Sequence, residues 1–208
     1  MKTSLFTSII TVILILFSCI KHEIIPAPIP KVELKSKFRG YIDGSATLTE
    51  FNEGVNGYTC VTNNDVFLQT TAVYYSSISS TTNATTSPSI RLGLGTLSWS
   101  GAATPTVDQF NAFFAAYVLP PYRTGASNGL EIQYTTALGA IYTSRQTTTA
   151  YQDAVFSNII QESDDTGDYS KFVCNFNCYV YWTAGTLPEV NKDSLKIQSG
   201  VFKGWFKK

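Results

Sequence analysis

Residues 164–182, DDTGDYSKFVCNFNCYVYW, carry the pattern that decides the fold. Thr166-Gly167, inside a cluster of aspartates, is typical of a hairpin turn, because glycine and short polar residues accept turn conformations. After this turn, apolar residues recur at every second position, which is the period of a strand with one buried face. That face carries Phe172, Cys174, Phe176, Cys178, Val180 and Trp182. The pattern predicts a long strand near 169–183 whose opposite face presents Tyr179 and Tyr181.

Similar runs recur along the chain and indicate the fold class. Segments rich in Val, Ile, Thr, Tyr and Phe alternate with Gly, Asn and Asp, which favours an antiparallel all-β domain. We predict an antiparallel β-sandwich, or a barrel-like sandwich. The predicted strands lie near 38–43, 46–51, 57–62, 65–76, 89–98, 129–135, 139–146, 153–161, 169–183 and 194–206. The stretch 76–89, SSISSTTNATTSPS, is predicted to be a surface loop, because hydroxyl side chains bury little apolar area.

One short amphipathic helix near 107–117 interrupts the strands. Thr106 is the expected N-cap, and Gln109 stands at the position of its capping-box partner. The apolar stripe of the helix consists of Val107, Phe110, Phe113, Phe114 and Tyr117. Pro120 and Pro121 end the helical pattern, because proline cannot continue a helix. We expect the helix to close one open end of the core.

The amino terminus resembles the signal peptide of bacterial lipoproteins. Lys2 supplies the positive start, and an apolar run from Leu5 to Phe17 follows it. This run is too short and too interrupted for a membrane span, which needs roughly 20 apolar residues. LFSC at 16–19 resembles the lipobox, which implies acylation of Cys19 and removal of the preceding peptide. An ordinary secretory signal with a chance cysteine is the alternative.

This interpretation divides the chain into three parts. Residues 1–18 are the predicted signal peptide, and residues 19–37 are the lipidated cysteine and a tether. The alternating Pro26, Pro28 and Pro30 of the tether favour an extended, semi-rigid spacer. Residues 38–208 are long enough for a single domain with its own core.

The charge distribution excludes one class of partner. Between residues 40 and 202 there are six Lys or Arg against thirteen Asp or Glu, so the positive charge lies near the two ends. Nucleic-acid binding requires a basic surface, which this acidic body does not predict. The terminal Lys203, Lys207 and Lys208 are interpreted as a solvated end.

Three cysteines follow Cys19 in a chain expected to reach an oxidising compartment. Cys174 and Cys178 are four residues apart on one strand, roughly 13 Å between their Cα atoms, so they cannot bond to each other. Cys60 pairs with one of them, or all three are buried thiols, which is the preferred interpretation. A zinc site is disfavoured, because no histidine lies nearby and the cysteine spacing is wrong.

No catalytic constellation is visible, and we expect the protein not to be an enzyme. The sole histidine, His22, lies in the tether, which excludes Ser-His-Asp and Cys-His arrangements. Paired carboxylates could hydrolyse glycosides, and the candidates are Glu50, Glu53, Glu131 and Glu162. Nothing in the sequence brings two of them into one cleft, and no cofactor is expected.

Two short patterns indicate weaker candidate sites. Asp164, Asp165 and Asp168 offer the hard oxygen ligands that calcium prefers, although the twelve-residue calcium loop is absent. Asp193-Ser194-Leu195 resembles the O-glycosylation acceptor of Bacteroidota, which makes Ser194 a modification candidate. Asn83-Ala84-Thr85 matches the N-glycosylation pattern, which a bacterial lipoprotein would not normally use.

Aromatic side chains supply the candidate binding surface. Their flat faces bury area at little entropic cost, which suits contact with sugars or with a partner protein. Tyr179 and Tyr181 fall opposite the Phe and Cys face of their strand, and the other candidates near predicted loop ends are Trp99, Tyr122, Tyr142 and Tyr151. Some of these rings must instead cover the core, so any single one is expected to be structural more often than ligand-binding.

Four further segments carry a family resemblance over roughly residues 105–206. They are FNAFFAAY (110–117), GLEIQYTTALGAIYTS (129–144), DDTGDYSKFVCNFNCYVYW (164–182) and IQSGVFKGWF (197–206). Their order is similar to that in small Bacteroidota lipoproteins of unknown function. At Thr135-Thr136 the chain departs from the aspartate that often precedes the turn. The resemblance implies a β-sandwich module on the cell envelope and transfers no catalytic residue.

These observations lead to two hypotheses for function. In the first, the chain is a lipid-anchored accessory or structural subunit of an outer-membrane protein complex. In the second, it is a surface glycan-binding module. Both put it on the outer membrane, on the periplasmic face or on the cell surface, held by the lipid on Cys19.

Replacing Cys19 tests the anchor. Wild-type protein should carry acyl mass and partition with membranes, because two or three acyl chains anchor a protein stably. Cys19→Ala should remove the acyl mass and release the protein into the soluble fraction. Mass spectrometry and membrane fractionation measure both effects. A wild-type protein without acyl mass would contradict the lipoprotein assignment.

Overall fold

The computed structural model describes residues 27, 30–82, 87–147, 151–185 and 192–208 of the chain. The predicted lipidation site Cys19, the tether residue His22 and the Asn83 acceptor lie outside these residues. Residues Lys31–Lys208 form one compact unit. None of the helices in the described ranges is both long and apolar enough to cross a membrane.

The described residues form ten strands and one α-helix, joined by turns. The strands are β1 (Lys37–Ile42), β2 (Thr49–Asn52), β3 (Tyr58–Phe67), β4 (Thr71–Ser80), β5 (Ser89–Ser98), β6 (Gly129–Thr135), β7 (Ile141–Ser144), β8 (Asp153–Asp164), β9 (Gly167–Ala184) and β10 (Ser194–Lys207). The helix α1 spans Val107–Ala116. A short 3-10 turn, Thr124–Ala126, precedes β6.

All ten strands belong to one antiparallel sheet. Nine of them follow the order β2-β1-β10-β9-β7-β6-β5-β4-β3, and β8 lies off this path, paired with β9. The strand β9 is central, because β10 pairs along one of its edges while β8 and β7 share the other. The two outermost strands, β2 and β3, are consecutive in the chain and are joined by the turn at 53–57. The sheet therefore curls into a half-barrel. The prediction of an antiparallel all-β fold with one short helix is confirmed, in its barrel-like form.

The predicted alternation along residues 169–183 is confirmed, and it builds the core. Phe172, Cys174, Phe176, Cys178 and Val180 are buried, whereas the residues between them face outward. The inner face of β10 supplies two further rings to the same core. Phe206 and Phe202 both stack on Phe172, with ring centroids 4.7 Å and 5.9 Å from the Phe172 centroid. Aromatic pairs of this kind add about 0.5–1.5 kcal/mol beyond their buried area.

Two predictions about the β3–β4 region were wrong. The predicted break between strands 57–62 and 65–76 is absent, and the turn lies instead at Leu68 and Gln69, which have positive φ angles of 50° and 61°. The predicted loop at 76–89 begins inside β4, where Ser76 and Ser80 are buried. Their hydroxyls have partners there: Ser76 Oγ lies 3.4 Å from Cys60 Sγ, and Ser80 Oγ donates to the Asn56 carbonyl at 3.0 Å. Buried hydroxyls are tolerated when hydrogen-bonded, which composition alone does not reveal.

The last residues of the predicted tether contact the sheet. The Val32 amide donates to Asp164 at 2.8 Å, and the Ser36 amide donates to Glu53 at 2.7 Å. Ser36 is buried, and β1 begins at the next residue. Residues 31–36 are therefore held on the domain by backbone hydrogen bonds.

The capping box predicted for α1 is present. The Gln109 amide donates to Thr106 Oγ1 at 3.2 Å, and the Thr106 amide donates to the Gln109 side chain at 2.8 Å. Phe114 packs against Phe206 of β10 at 4.5 Å and against Tyr74 of β4 at 5.4 Å between ring centroids. The helix thus fills the space between these two strands at one end of the core.

Truncating Phe114 tests this packing. Phe114→Ala should lower the free energy of unfolding by about 3–5 kcal/mol, because it removes a buried ring and leaves a cavity. Urea denaturation measures the change. Leu119→Ala is the control, since Leu119 is exposed beyond the helix and its loss should cost less than about 0.5 kcal/mol. Equal destabilisation by both variants would contradict the role assigned to the helix.

Candidate functional site

Three of the candidate ligand-facing aromatic residues lie in the core. Trp99, Tyr122 and Tyr142 expose 6%, 6% and 2% of their surface. Their polar atoms bond to backbone carbonyls: Trp99 Nε1 to Ala102 at 3.1 Å, Tyr122 OH to Asp153 at 3.1 Å and Tyr142 OH to Lys192 at 3.0 Å. These bonds let amphipathic rings be buried without an unsatisfied polar group. All three are therefore structural rather than ligand-facing.

Tyr179 and Tyr181 do lie on the outer face of β9, as the alternation predicted. Other side chains of the protein cover part of each ring. The Arg145 guanidinium lies 3.6 Å above the Tyr181 ring, and Tyr151 packs on Tyr179 at 5.2 Å between centroids. Lys196 lies 4.0 Å above the Tyr151 ring. Cation–π and ring contacts thus occupy surfaces that a ligand would need.

The four candidate glycosidase carboxylates each have a different partner. Glu50 pairs with Lys37 at 3.2 Å, and Glu162 pairs with Lys171 at 2.6 Å. Glu53 accepts bonds from both the amide and the hydroxyl of Ser36. Glu131 is buried, pairs with Arg91 at 3.3 Å and accepts the Gly125 amide at 2.5 Å. These partners give every one of the four a structural role.

The aspartate cluster forms a hairpin turn. Asp164 accepts bonds from the hydroxyl and amide of Thr166 and from the Val32 amide, and the Thr166 hydroxyl and these amides hold the pKa of its carboxyl at about 2. Asp168 accepts the Ser163 hydroxyl at 2.7 Å. Within the described ranges, no three His, Cys, Asp or Glu side chains are grouped to hold a metal ion. The calcium candidates Asp164, Asp165 and Asp168 are thus not assembled into a site.

Cys60, Cys174 and Cys178 are free thiols, and the preferred interpretation of buried thiols is confirmed for Cys174 and Cys178, whereas Cys60 is half-buried. Cys174 and Cys178 are fully buried under the aromatic core. Burial raises the pKa of the Cys60 thiol to about 11 and that of Cys178 to about 12. A thiol with so high a pKa is protonated at neutral pH. Cys174 and Cys178 are small residues of the core, and Cys60 lies half-buried on β3 beside Ser76.

A long depression runs across the outer face of β1, β10, β9 and β8, and we call it the outer trough. Its upper part has a volume of about 410 Å³ and is lined chiefly by Tyr41, Leu48, Asp153, Val155, Asn175 and Ser199. Its middle part, of about 220 Å³, is lined by Lys37, Arg39, Val173, Val201 and Lys203. Its lower part, of about 550 Å³, includes Glu33, Lys35, Asn158, Ile160 and Lys171. Arg39 and Val201 line both the upper and middle parts, so the depressions adjoin.

Irregular strand pairing bends the sheet beneath the trough. Each of the three strand pairs under it contains one register shift: at 39–41 in β1 with β10, at 197–200 in β10 with β9 and at 157–160 in β8 with β9. Ser199 and Asn158, within two of these shifts, have positive φ angles of 51° and 50°. Bulges of this kind bend a strand and increase its twist.

The floor of the upper part is held by a hydrogen-bonded network. Asp153 accepts both the amide and the side-chain NH₂ of Asn177, each at 2.9 Å. Asn177 in turn accepts the Ser199 amide at 2.8 Å. The three residues come from β8, β9 and β10, so the network fixes the relative positions of three strands. Tyr41, which is 37% exposed, forms one wall.

The sequence signal for the upper part of the trough was the alternation of apolar and polar residues along β9. This alternation put Asn175 and Asn177 opposite the buried face. The sequence interpretation did not select them, because amide side chains on an outer strand face are common. Tyr41 and Arg39 were missed for a different reason. They become neighbours of β9 residues only after β1 pairs with β10, more than 150 residues later.

A second exposed feature is the tip of the β3–β4 hairpin. Val66, Phe67 and Leu68 expose 52%, 49% and 91% of their surface. Val66 and Phe67 end β3, which is an edge strand of the sheet, and Leu68 lies in the turn that follows. Ser194, the O-glycosylation candidate, is also exposed and begins β10.

Comparison with known proteins adds no family. The chain matches no protein-family model, no curated protein and no solved structure. The resemblance of residues 105–206 to small Bacteroidota lipoproteins stays a prediction.

Proposed function

We propose that this chain is a lipid-anchored protein of the outer membrane that acts by binding a glycan in the outer trough. The anchor is the lipid on Cys19, as the lipobox resemblance implies. The domain contributes a binding surface and no reaction. The observation that carries the proposal is the upper part of the trough, where an exposed ring and polar side chains line one depression of about 410 Å³.

The composition of this depression suits a sugar. The Tyr41 ring and the apolar side chains of Leu48 and Val155 can cover the C–H face of a pyranose, because aromatic and aliphatic surfaces gain from burial. Asn175 and Asp153 offer amide and carboxylate groups that hydrogen-bond to hydroxyls. A volume near 400 Å³ is within the usual range of small-ligand sites.

Preorganisation supports the same proposal. The Asp153–Asn177–Ser199 network is complete without a ligand, so binding does not require these strands to be ordered first. Fixing a site in advance reduces the entropic cost of association. The exposed side chains above this floor, Tyr41 and Asn175, remain available for contact.

Removing the ring tests the site. Tyr41→Ala should weaken binding of a glycan identified on an array by about tenfold, because an aromatic contact of about 1.4 kcal/mol corresponds to that factor. Isothermal titration calorimetry measures the loss. Phe67→Ala is the matched control, since Phe67 is an exposed ring outside the trough. An array without any bound glycan would refute the proposed function.

The accessory-subunit hypothesis keeps one specific observation in its favour, the hairpin tip at Val66, Phe67 and Leu68. Exposed apolar side chains beside an open strand edge favour contact with another protein, because a free edge offers unpaired backbone groups. The fitting partner is an outer-membrane protein that contributes a strand edge and an apolar surface to the same interface. On this hypothesis the trough is not the primary contact.

Co-purification after mild detergent extraction tests this second candidate. Leu68→Asp should abolish recovery of the partner, because it puts a charge in the centre of an apolar contact. Leu138→Asp should leave recovery unchanged, since Leu138 is also largely exposed, at 72%, but lies in the β6–β7 turn. A wild-type protein that always elutes alone would rule the hypothesis out.

A further inference from the structure

We infer that the glycan bound in the outer trough is anionic, and that Arg39 and Lys203 hold its carboxylate or phosphate group in the middle part. This inference rests on the proposed function and adds the chemical class of the ligand. It derives from how the fold arranges the charges of the two chain ends.

The fold collects cations that the sequence separates. Lys37 and Arg39 lie on β1, and Lys203 lies on β10, beyond the acidic body of the chain at either end. Because β1 pairs with β10, Lys37 stands directly opposite Lys203. Like charges at directly opposed positions destabilise a sheet, so this pair is unfavourable for folding alone.

Local carboxylates neutralise only some of these charges. Glu50 pairs with Lys37 at 3.2 Å, although its direct cross-strand neighbour is Arg39. In the lower part of the trough, Glu162 pairs with Lys171. Among the described residues, no carboxylate lies within 4 Å of the charged groups of Arg39 and Lys203. Arg39 and Lys203 thus form no direct ion pair in the described structure, although Lys203 interacts at longer range with the Glu33 carboxylate of the lower part.

The middle part has the composition of an anion site. Its lining consists of Lys37, Arg39 and Lys203 with Val173 and Val201, and it includes no carboxylate. The guanidinium of Arg39 can form two parallel hydrogen bonds to a carboxylate or phosphate, which lysine alone cannot do. The half-buried Val173 and Val201 form the apolar surface between these cations.

The arrangement also fixes where the anionic group lies. Arg39 lines both the upper and middle parts, so one saccharide can occupy both. Asp153 lines the upper part and repels an anion there. The charged group of the glycan is thus directed to the middle part, and a neutral ring is directed to Tyr41.

The test compares the binding of acidic polysaccharides with the binding of the same polysaccharides after their carboxylates have been esterified. Polygalacturonate, alginate and hyaluronan are compared with their methyl esters by calorimetry. Wild-type protein should bind at least one acidic polysaccharide. Its affinity for the methyl ester of that polysaccharide should be lower by about tenfold or more. The double variant Arg39→Gln with Lys203→Gln should lose about tenfold affinity for the acidic form and none for the ester.

A matched variant and a lipid arm separate the outcomes. Lys207→Gln removes an exposed cation of β10 outside the middle part and should leave affinity unchanged. Equal binding of acid and ester, unaffected by the double variant, would overturn the anionic assignment and keep the glycan proposal. Binding of neither form of any polysaccharide would overturn both. Binding to phosphatidylglycerol vesicles alone, lost in the double variant, would reassign the cations to a membrane surface.

Discussion

The pairing of β9 on both of its edges is the constraint on which the rest of the structure depends. Its buried face, from Phe172 to Val180, is apolar, so it must be covered by distant parts of the chain. The strand is long enough for β10 to follow one edge while β8 and β7 divide the other. The rings of α1 cover the core from another side, where Phe114 packs on Phe206 of β10 and on Tyr74 of β4. The half-barrel, the position of the helix and the outer surface are thus all organised around one strand, β9, with alternating buried and outward residues.

The same alternation creates the surface that we connect with function. Side chains of β9 that do not enter the core point outward. The outward side chains of β1, β10 and β8 lie next to them on the same face of the sheet. Bulges in each strand pair then bend this face into the outer trough. Core and site are thus two faces of the same four strands, so changes in strand register would alter both.

Prediction from sequence succeeded where the signal was local. The period of two between Phe172 and Val180 and the capping box of Thr106 and Gln109 each depend on neighbours within a few residues, and both are present. It was wrong for Ser76 and Ser80, whose burial depends on Cys60 and Asn56 across a strand pair. It could not tell which of the candidate rings were structural: Trp99, Tyr122 and Tyr142 are buried, because a ring at the end of a strand is open or buried according to what covers it.

The sequence by itself determined the fold class, the helix, the face of β9 that enters the core and the expectation of a lipid on Cys19. These follow from periodicity and short motifs, which involve only nearby residues. Only the tertiary structure decided that the basic ends of the domain lie side by side, with Lys37 opposite Lys203, and that Tyr41 joins Asn175 in one depression. The reason is that β1 pairs with β10 across more than 150 residues, and local patterns predict hairpins but not which distant strands will pair.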